Sequence, residues 1–292
     1  MKFPELTYSS PTDSLPKRWT IRTIEHLVGR GYFVPLYERW QREYVAKGTR
    51  VIRPMLDLCD VTFDVRGAWP PALDPAAPLV IVANHPFGIL DGIGALSLAE
   101  EIGRPFRVLI NKDLIKVPEI RAYSLAIDFT ETRAAQESNI ATRKEALRLL
   151  SEGTTIVVYP SGGVATSPTT FGRAVDLPWK TFTARMIQAS KAQVLPIYFE
   201  GQCQPLFHLV SKFSLTLRLS LMIAELRRRV GSTLVARVGS VVPFHELKAQ
   251  KDRIALMQEL WERVQDLSGH PIDETRARAE RLPGWLRGEK AD

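Results

Sequence analysis

The residues best suited to proton transfer are His85 and Asp91, six apart in the segment Ile81-Val82-Ala83-Asn84-His85-Pro86-Phe87-Gly88-Ile89-Leu90-Asp91-Gly92. An imidazole takes and returns a proton near neutral pH, and a carboxylate beside it holds the ring in one tautomer and stabilises its charged form. On a continuous helix, residues six apart face different ways, so the pair works only if the chain folds back between them. Pro86 and Gly88 supply that turn. The pattern places His85 at the end of a buried strand and Asp91 in or near the first turn of the helix that follows. Taken alone, the two residues also fit a plainer use, since an aspartate at a helix start caps it and a strand-end histidine can simply be a satisfied polar group.

Other residues could bind what the pair acts on. Lys112 follows an apolar run and could hold a phosphate or carboxylate, and Asn84 stands beside the histidine. In Tyr159-Pro160-Ser161-Gly162-Gly163 the glycines let a ligand approach the main chain, so N–H groups near Gly162 and Gly163 could receive an anion or a developing oxyanion. A tight strand-to-helix turn would use the same glycines for backbone geometry. Ser161 opens a different chemistry, a lipid hydrolase with Ser161 as nucleophile, although the segment lacks the first glycine of the G-x-S-x-G elbow. The run Arg227-Arg228-Arg229 could meet acidic head groups, while a helix C-terminus favours cations on its own account.

The elements that must position these groups alternate in type. Apolar runs rich in Val and Ile occur at residues 61–65, 79–83, 106–110, 125–129, 155–159, 194–199 and 234–238, and most read as strands buried on both faces. Helix-length segments lie between them at 92–102, 140–152, 178–189 and 215–230, with another at 244–267. The alternation implies an α/β fold with a largely parallel mixed sheet flanked by helices. Two amphipathic helices at 16–31 and 35–57 form an N-terminal extension. In open sheets of this kind ligands bind at the carboxyl ends of the strands, where His85, Lys112 and Tyr159 all fall. With no long Pro/Gly/Ser linker, the chain divides into the N-terminal helices at 1–60, an α/β domain at 61–270 and a charged C-terminal tail at 271–292.

The 292 residues, 45% apolar and 24% charged, can build a sizeable core and exclude a disordered chain. Lys and Arg outnumber Asp and Glu by 39 to 32, a net charge of +7, which admits nucleic acid, an anionic membrane or an acidic carrier protein as partner. The basic residues are dispersed and no nucleic-acid reader motif occurs, so a nucleic-acid partner is not expected. The most apolar region, residues 78–99, is interrupted by Asn84, His85 and Asp91, which excludes a transmembrane span there, and the N-terminus lacks the apolar core of a secretory signal. Cys59 and Cys203, without metal-ligand spacing, read as buried reduced thiols. No metal is implied.

Asn84-His85-Pro86 followed by Asp91 resembles the first motif of the glycerolipid, or lysophospholipid, acyltransferase family. Tyr159 to Gly163 stands where that family carries Phe-Pro-Glu-Gly, and Val194-Leu195-Pro196-Ile197 resembles its later Val-Pro-Val element. The chain looks closest to the bacterial hemolysin-labelled branch, in which the wider spacing from histidine to aspartate and Tyr198-Phe199-Glu200-Gly201 also occur. The resemblance implies transfer of a fatty acyl group from acyl carrier protein or acyl-coenzyme A to a lyso-lipid hydroxyl, with His85 as general base oriented by Asp91. Asn84, Lys112, Tyr159, Ser161, Gly162 and Gly163 would bind substrate. No cofactor is implied beyond the acyl thioester co-substrate. The family's Glu and Arg around this glycine motif are replaced, with Ser161 at the Glu position and Val164-Ala165 after Gly163, which points toward a lyso-aminolipid such as lyso-ornithine lipid as acceptor. A non-catalytic, hemolysin-like membrane binder is the alternative from another class. Peripheral attachment to an anionic membrane, on the cytoplasmic face of the bacterial inner membrane, completes the expectation.

Overall fold

Seven Val-, Ile- and Leu-rich strands form one sheet in the computed structural model, which describes residues 3, 5–7, 9, 13–48, 50–112, 115–128, 132–213, 215–248 and 250–287. The strands are β1 (Thr62–Gly67), β2 (Leu79–Ala83), β3 (Phe106–Asn111), β4 (Ser124–Ile127), β5 (Thr155–Val158), β6 (Gln193–Phe199) and β7 (Thr233–Val238). Their order is β1-β7-β6-β2-β5-β3-β4, and every neighbouring pair is parallel except β6 and β7. The mixed, largely parallel α/β sheet implied by the sequence is therefore present. Residue 129, at the end of the expected fourth strand, lies outside the described residues.

β2 is central and buried throughout, and its side chains alternate between two cores as a pleated strand requires. Leu79, Ile81 and Ala83 join Ile52, Leu56, Leu90, Leu98 and Phe199 on one face. Val80 and Val82 join Leu150, Ile156, Met186 and Leu260 on the other.

The helices are α1 (Leu15–Val28), α2 (Arg30–Trp40), α3 (Arg53–Leu58), α4 (Ile89–Glu101), α5 (Pro118–Arg121), α6 (Arg133–Ser151), α7 (Phe182–Ser190), α8 (Pro205–Val210), α9 (Leu215–Ser220), α10 (Met222–Arg229), α11 (Arg253–Asp266), α12 (Ile272–Glu280) and α13 (Gly284–Arg287). Helix α4 follows β2 and presses on the sheet at Gly94, where a β-carbon would come within 2.8 Å of Leu234 and 3.0 Å of Phe199. None of the described helices is long and apolar enough to cross a membrane.

Four expected elements are corrected. The helix expected at 35–57 is broken: α2 carries Pro35 internally and runs into a wide turn at Gln41–Val45, and α3 starts afresh at Arg53. Pro54 suits a helix start, and the Glu100 carboxylate accepts the N–H groups of Val51, Ile52 and Arg53 at 2.8, 3.2 and 3.2 Å, capping α3 from another helix. The single helix expected at 215–230 divides at Leu221 into α9 and α10, of which α10 packs on α4. The helix expected from 244 starts only at Arg253, where Asp252 accepts the N–H groups of Ile254 and Ala255, and residues 244–246 form a separate 3-10 turn. The charged tail carries α12 and α13, with Thr275 and Leu282 buried and Arg173 donating to the Thr275 hydroxyl at 2.9 Å.

Candidate active site

At the carboxyl end of β2 the chain turns back within a few residues, and Gly88 makes this possible. Its φ of +83° is open to glycine, and a β-carbon there would lie 2.2 Å from Met222 and 2.9 Å from Val164. The turn brings His85 Nδ1 to 2.5 Å from Asp91 Oδ2, while Asp91 Oδ1 accepts the Phe87 N–H at 2.9 Å. Asp91 is fully buried in the first turn of α4, and the His85 side chain keeps 17% exposure. The ring is thus held by Nδ1, and Nε2 points away from the carboxylate.

Tyr159, from the end of β5, stacks on the imidazole with ring centroids 4.1 Å apart and planes inclined by 29°. Its hydroxyl donates to the Asp91 carbonyl at 2.7 Å. Burial, with the nearby Asp91 and Asp176 charges, pushes this phenol far above its usual range, so it stays a neutral donor.

Asp176 is a member of the site that the sequence did not announce. Its Oδ1 accepts the backbone N–H of His85 at 3.1 Å, and its Oδ2 accepts the Trp179 indole N–H at 3.1 Å. Burial raises its carboxyl from 3.8 to about 6, with Asp91 adding to the rise and the two donors opposing it. It is 91 positions from His85 in the chain and belongs to no motif, so only the fold reveals it.

The remaining expected site residues have these surroundings. Asn84 bridges β2 to β6, donating to the Phe199 carbonyl at 2.9 Å and accepting its N–H at 2.7 Å, so its carboxamide continues the sheet where the ladder ends. The Ser161 hydroxyl is buried and donates to the Gly163 carbonyl at 2.9 Å. The Gly162 N–H, one of the groups expected to receive an oxyanion, closes a turn onto the Tyr159 carbonyl at 2.9 Å. A β-carbon on Gly163 would meet Leu177 at 3.0 Å. Lys112 stands at the same sheet edge, but its Nζ is drawn to Asp128 Oδ2 at 2.5 Å, beyond the end of β4.

Around the turn, Cys203 Sγ donates to the Pro86 carbonyl at 3.3 Å, and Arg229 lies 4.3 Å from the centroid of Phe87. Arg227 sits 3.9 Å from the centroid of Tyr32, so two of the three consecutive arginines rest on aromatic faces of this molecule. Both cysteines are unpaired and buried. The arrangement as a whole can take a proton at His85 Nε2 and hold the resulting imidazolium against a buried carboxylate.

Comparison with known proteins gives a family and a similar solved structure. The family model described as acyltransferase matches residues 2–251. No curated protein matches the chain. Among solved structures it is similar to the crystal structure of the 1-acyl-sn-glycerophosphate (LPA) acyltransferase PlsC from Thermotoga maritima, with 16% identity and a TM-score of 0.49 over 88% of this chain and 95% of that one.

Proposed function

The chain belongs to the acyltransferase family, and on that premise we propose that it transfers a fatty acyl group from acyl carrier protein or acyl-coenzyme A to the hydroxyl of a lyso-lipid. The observation that carries the site assignment is the 2.5 Å contact between His85 Nδ1 and Asp91 Oδ2 at the carboxyl end of the central strand, with Nε2 on the far side of the ring. His85 Nε2 takes the hydroxyl proton of the acceptor as that oxygen attacks the thioester carbonyl. The carbon–sulfur bond then breaks, and the imidazolium returns the proton to the departing thiolate. Asp91 acts as a positioning residue that fixes the tautomer and stabilises the imidazolium. No acyl-enzyme is required, which agrees with a Ser161 hydroxyl directed to Gly163.

The acceptor is read as a lyso-lipid other than a simple lysophosphatidate, with a lyso-aminolipid such as lyso-ornithine lipid preferred. Ser161, Val164 and Ala165 in place of the charged residues of the resembling motif support this choice. An insoluble acceptor must be collected from a bilayer, and the N-terminal unit, residues 1–60, is suited to meet one. Helix α1 leaves Leu15, Trp19 and Leu27 about three-quarters exposed, and it packs against α9, beside which Phe213 is also exposed. With the +7 charge, these residues support peripheral attachment at the cytoplasmic face of the inner membrane.

Purified protein incubated with both acyl donors and a panel of lyso-lipids should yield a product heavier by one acyl chain. Absence of product with every pair would sink the reading. Liposome co-sedimentation should weaken at high salt, and salt-independent solubility in the presence of anionic vesicles would refute membrane attachment.

A further inference from the structure

β2 and β6 are parallel neighbours with Ala83 opposite Ile197, so the segments that leave their carboxyl ends run side by side. Past the last ladder pair they stay joined. Asn84 bridges to Phe199 through its carboxamide, and the Cys203 thiol donates to the Pro86 carbonyl at 3.3 Å. Between these two links lies Phe87, 5% exposed, with the Arg229 guanidinium carbon 4.3 Å from its ring centroid. Arg229 is itself tied to the second segment, because its Nη2 donates to the Gln202 carbonyl at 2.7 Å.

Gly201 leaves the room that the ring fills. Its φ is +111°, a conformation that L side chains rarely adopt, and a β-carbon there would come within 2.6 Å of Phe87 Cζ. The two adjoining ring carbons would lie 3.4 and 3.5 Å from it. A side chain at 201 would therefore push directly on the far edge of the ring.

The backbone of Phe87 carries this seating to the catalytic pair. A peptide unit is planar, so the Pro86 carbonyl and the Phe87 N–H turn together. The carbonyl accepts from Cys203, and the N–H donates to Asp91 Oδ1 at 2.9 Å, while Asp91 Oδ2 meets His85 Nδ1 at 2.5 Å. The terminal torsion of an aspartate is broad, so a single bond leaves the carboxylate plane loosely set and two fixed partners determine it. One of those two partners is the Phe87 N–H. The next residue, Gly88, has a φ of +83° and lends the turn freedom, so the anchor has to come from the ring.

We propose that Phe87 is a positioning residue: its ring, seated against Gly201 with Arg229 over it, holds the peptide whose N–H sets the Asp91 carboxylate for His85. The proposal rests on the acyltransferase reading of His85 and Asp91 above. It assigns to Gly201, 110 positions beyond Asp91 in the chain, the task of admitting the ring.

The test compares wild type, Phe87→Leu, Gly201→Ala and the double variant, each checked for folding by circular dichroism. Leucine lacks the ζ carbon that a methyl at 201 would meet. With the acyl donor and lyso-lipid that give product, Phe87→Leu should lower kcat about 10-fold and leave both KM values within about twofold. Gly201→Ala should lower kcat about 10- to 100-fold, and adding Phe87→Leu to it should cause no further loss, because the shorter side chain relieves the collision. Fully additive losses, a rise in KM at unchanged kcat, or a lowered melting temperature at unchanged kcat overturns the proposal. If Gly201→Ala does not fold, Phe87→Leu carries the test.

A second readout needs no turnover. Long-range proton–nitrogen NMR at alkaline pH reads which nitrogen of the neutral His85 ring holds the proton, with His85→Ala giving the assignment. Wild type should hold it on Nδ1, facing Asp91, and Phe87→Leu should show a mixture of the two tautomers. An unchanged tautomer in Phe87→Leu overturns the proposal. A tautomer shift as expected, in a protein that acylates none of the lyso-lipids, keeps the positioning role and refutes the enzymatic reading alone.

Discussion

Two turns leave the same edge of the sheet side by side, because β2 and β5 run parallel with Val82 opposite Val158. In the turn after β2 the His85 ring is bonded through Nδ1 and stacked on Tyr159, and its side chain remains partly open to solvent. In the turn after β5 the polar atoms point inward: Tyr159 to the Asp91 carbonyl, Ser161 to the Gly163 carbonyl and the Gly162 N–H to the Tyr159 carbonyl. On the proposed reading, one turn offers an atom to a substrate and the other builds the wall against which that atom is held. Polar residues at adjacent strand ends thus have opposite uses, and residue type alone does not separate them.

The sharpest test of this division is His85→Ala, which should lower kcat/KM for acyl transfer by about 10³- to 10⁴-fold while circular dichroism and liposome binding persist. Asp91→Asn should cost about 10²- to 10³-fold through loss of the orienting charge, with a smaller effect on acceptor KM than on kcat. Asp176 should show itself in stability. Its carboxyl is raised in the fold to about 6, so the native state favours the protonated form. That contribution is complete below about pH 4 and is lost as pH rises through about 6. Urea unfolding of wild type against Asp176→Asn at pH 4 and pH 7 should therefore show a pH-dependent difference of about 3 kcal/mol at most, flattened in the variant. The smallest effect belongs to Ser161→Ala, for which about a threefold change in kcat is expected, with a slight loss of stability from the hydrogen bond to Gly163. A loss of 10²-fold or more there would erase the distinction between the two turns and bring back a serine nucleophile.

The centre of the sheet was legible because β2 and β5 are short Val- and Ile-rich runs buried throughout, and a strand buried on both faces needs little else to declare itself. Helix boundaries were less so. The start of α3 is set by Glu100, a residue of α4 that reaches it only in the folded chain, and the segment carrying α12 buries Thr275 and, just after the helix, Leu282, too little apolar content to stand out in a charged stretch. At the site, the spacing of His85 and Asp91 about Pro86 and Gly88 carried the geometry of the pair in local sequence. Asp176 was not legible, since it meets the His85 backbone from a distant segment. Asn84, Ser161 and Gly162 were read as facing a ligand; their bonds to backbone groups at the strand ends and turns were not legible, because those partners are set by the fold.

The burial of both thiols has a practical consequence. Burial raises the Cys59 thiol to about 11 and holds the Cys203 thiol well above its usual range, and both side chains are buried, so the native chain should be silent to maleimide reagents at neutral pH. A cysteine introduced at Trp19, on the exposed side of α1, would then be the single reactive position without removing either native one. An environment-sensitive dye attached there would report contact with vesicles through its emission colour, independently of turnover.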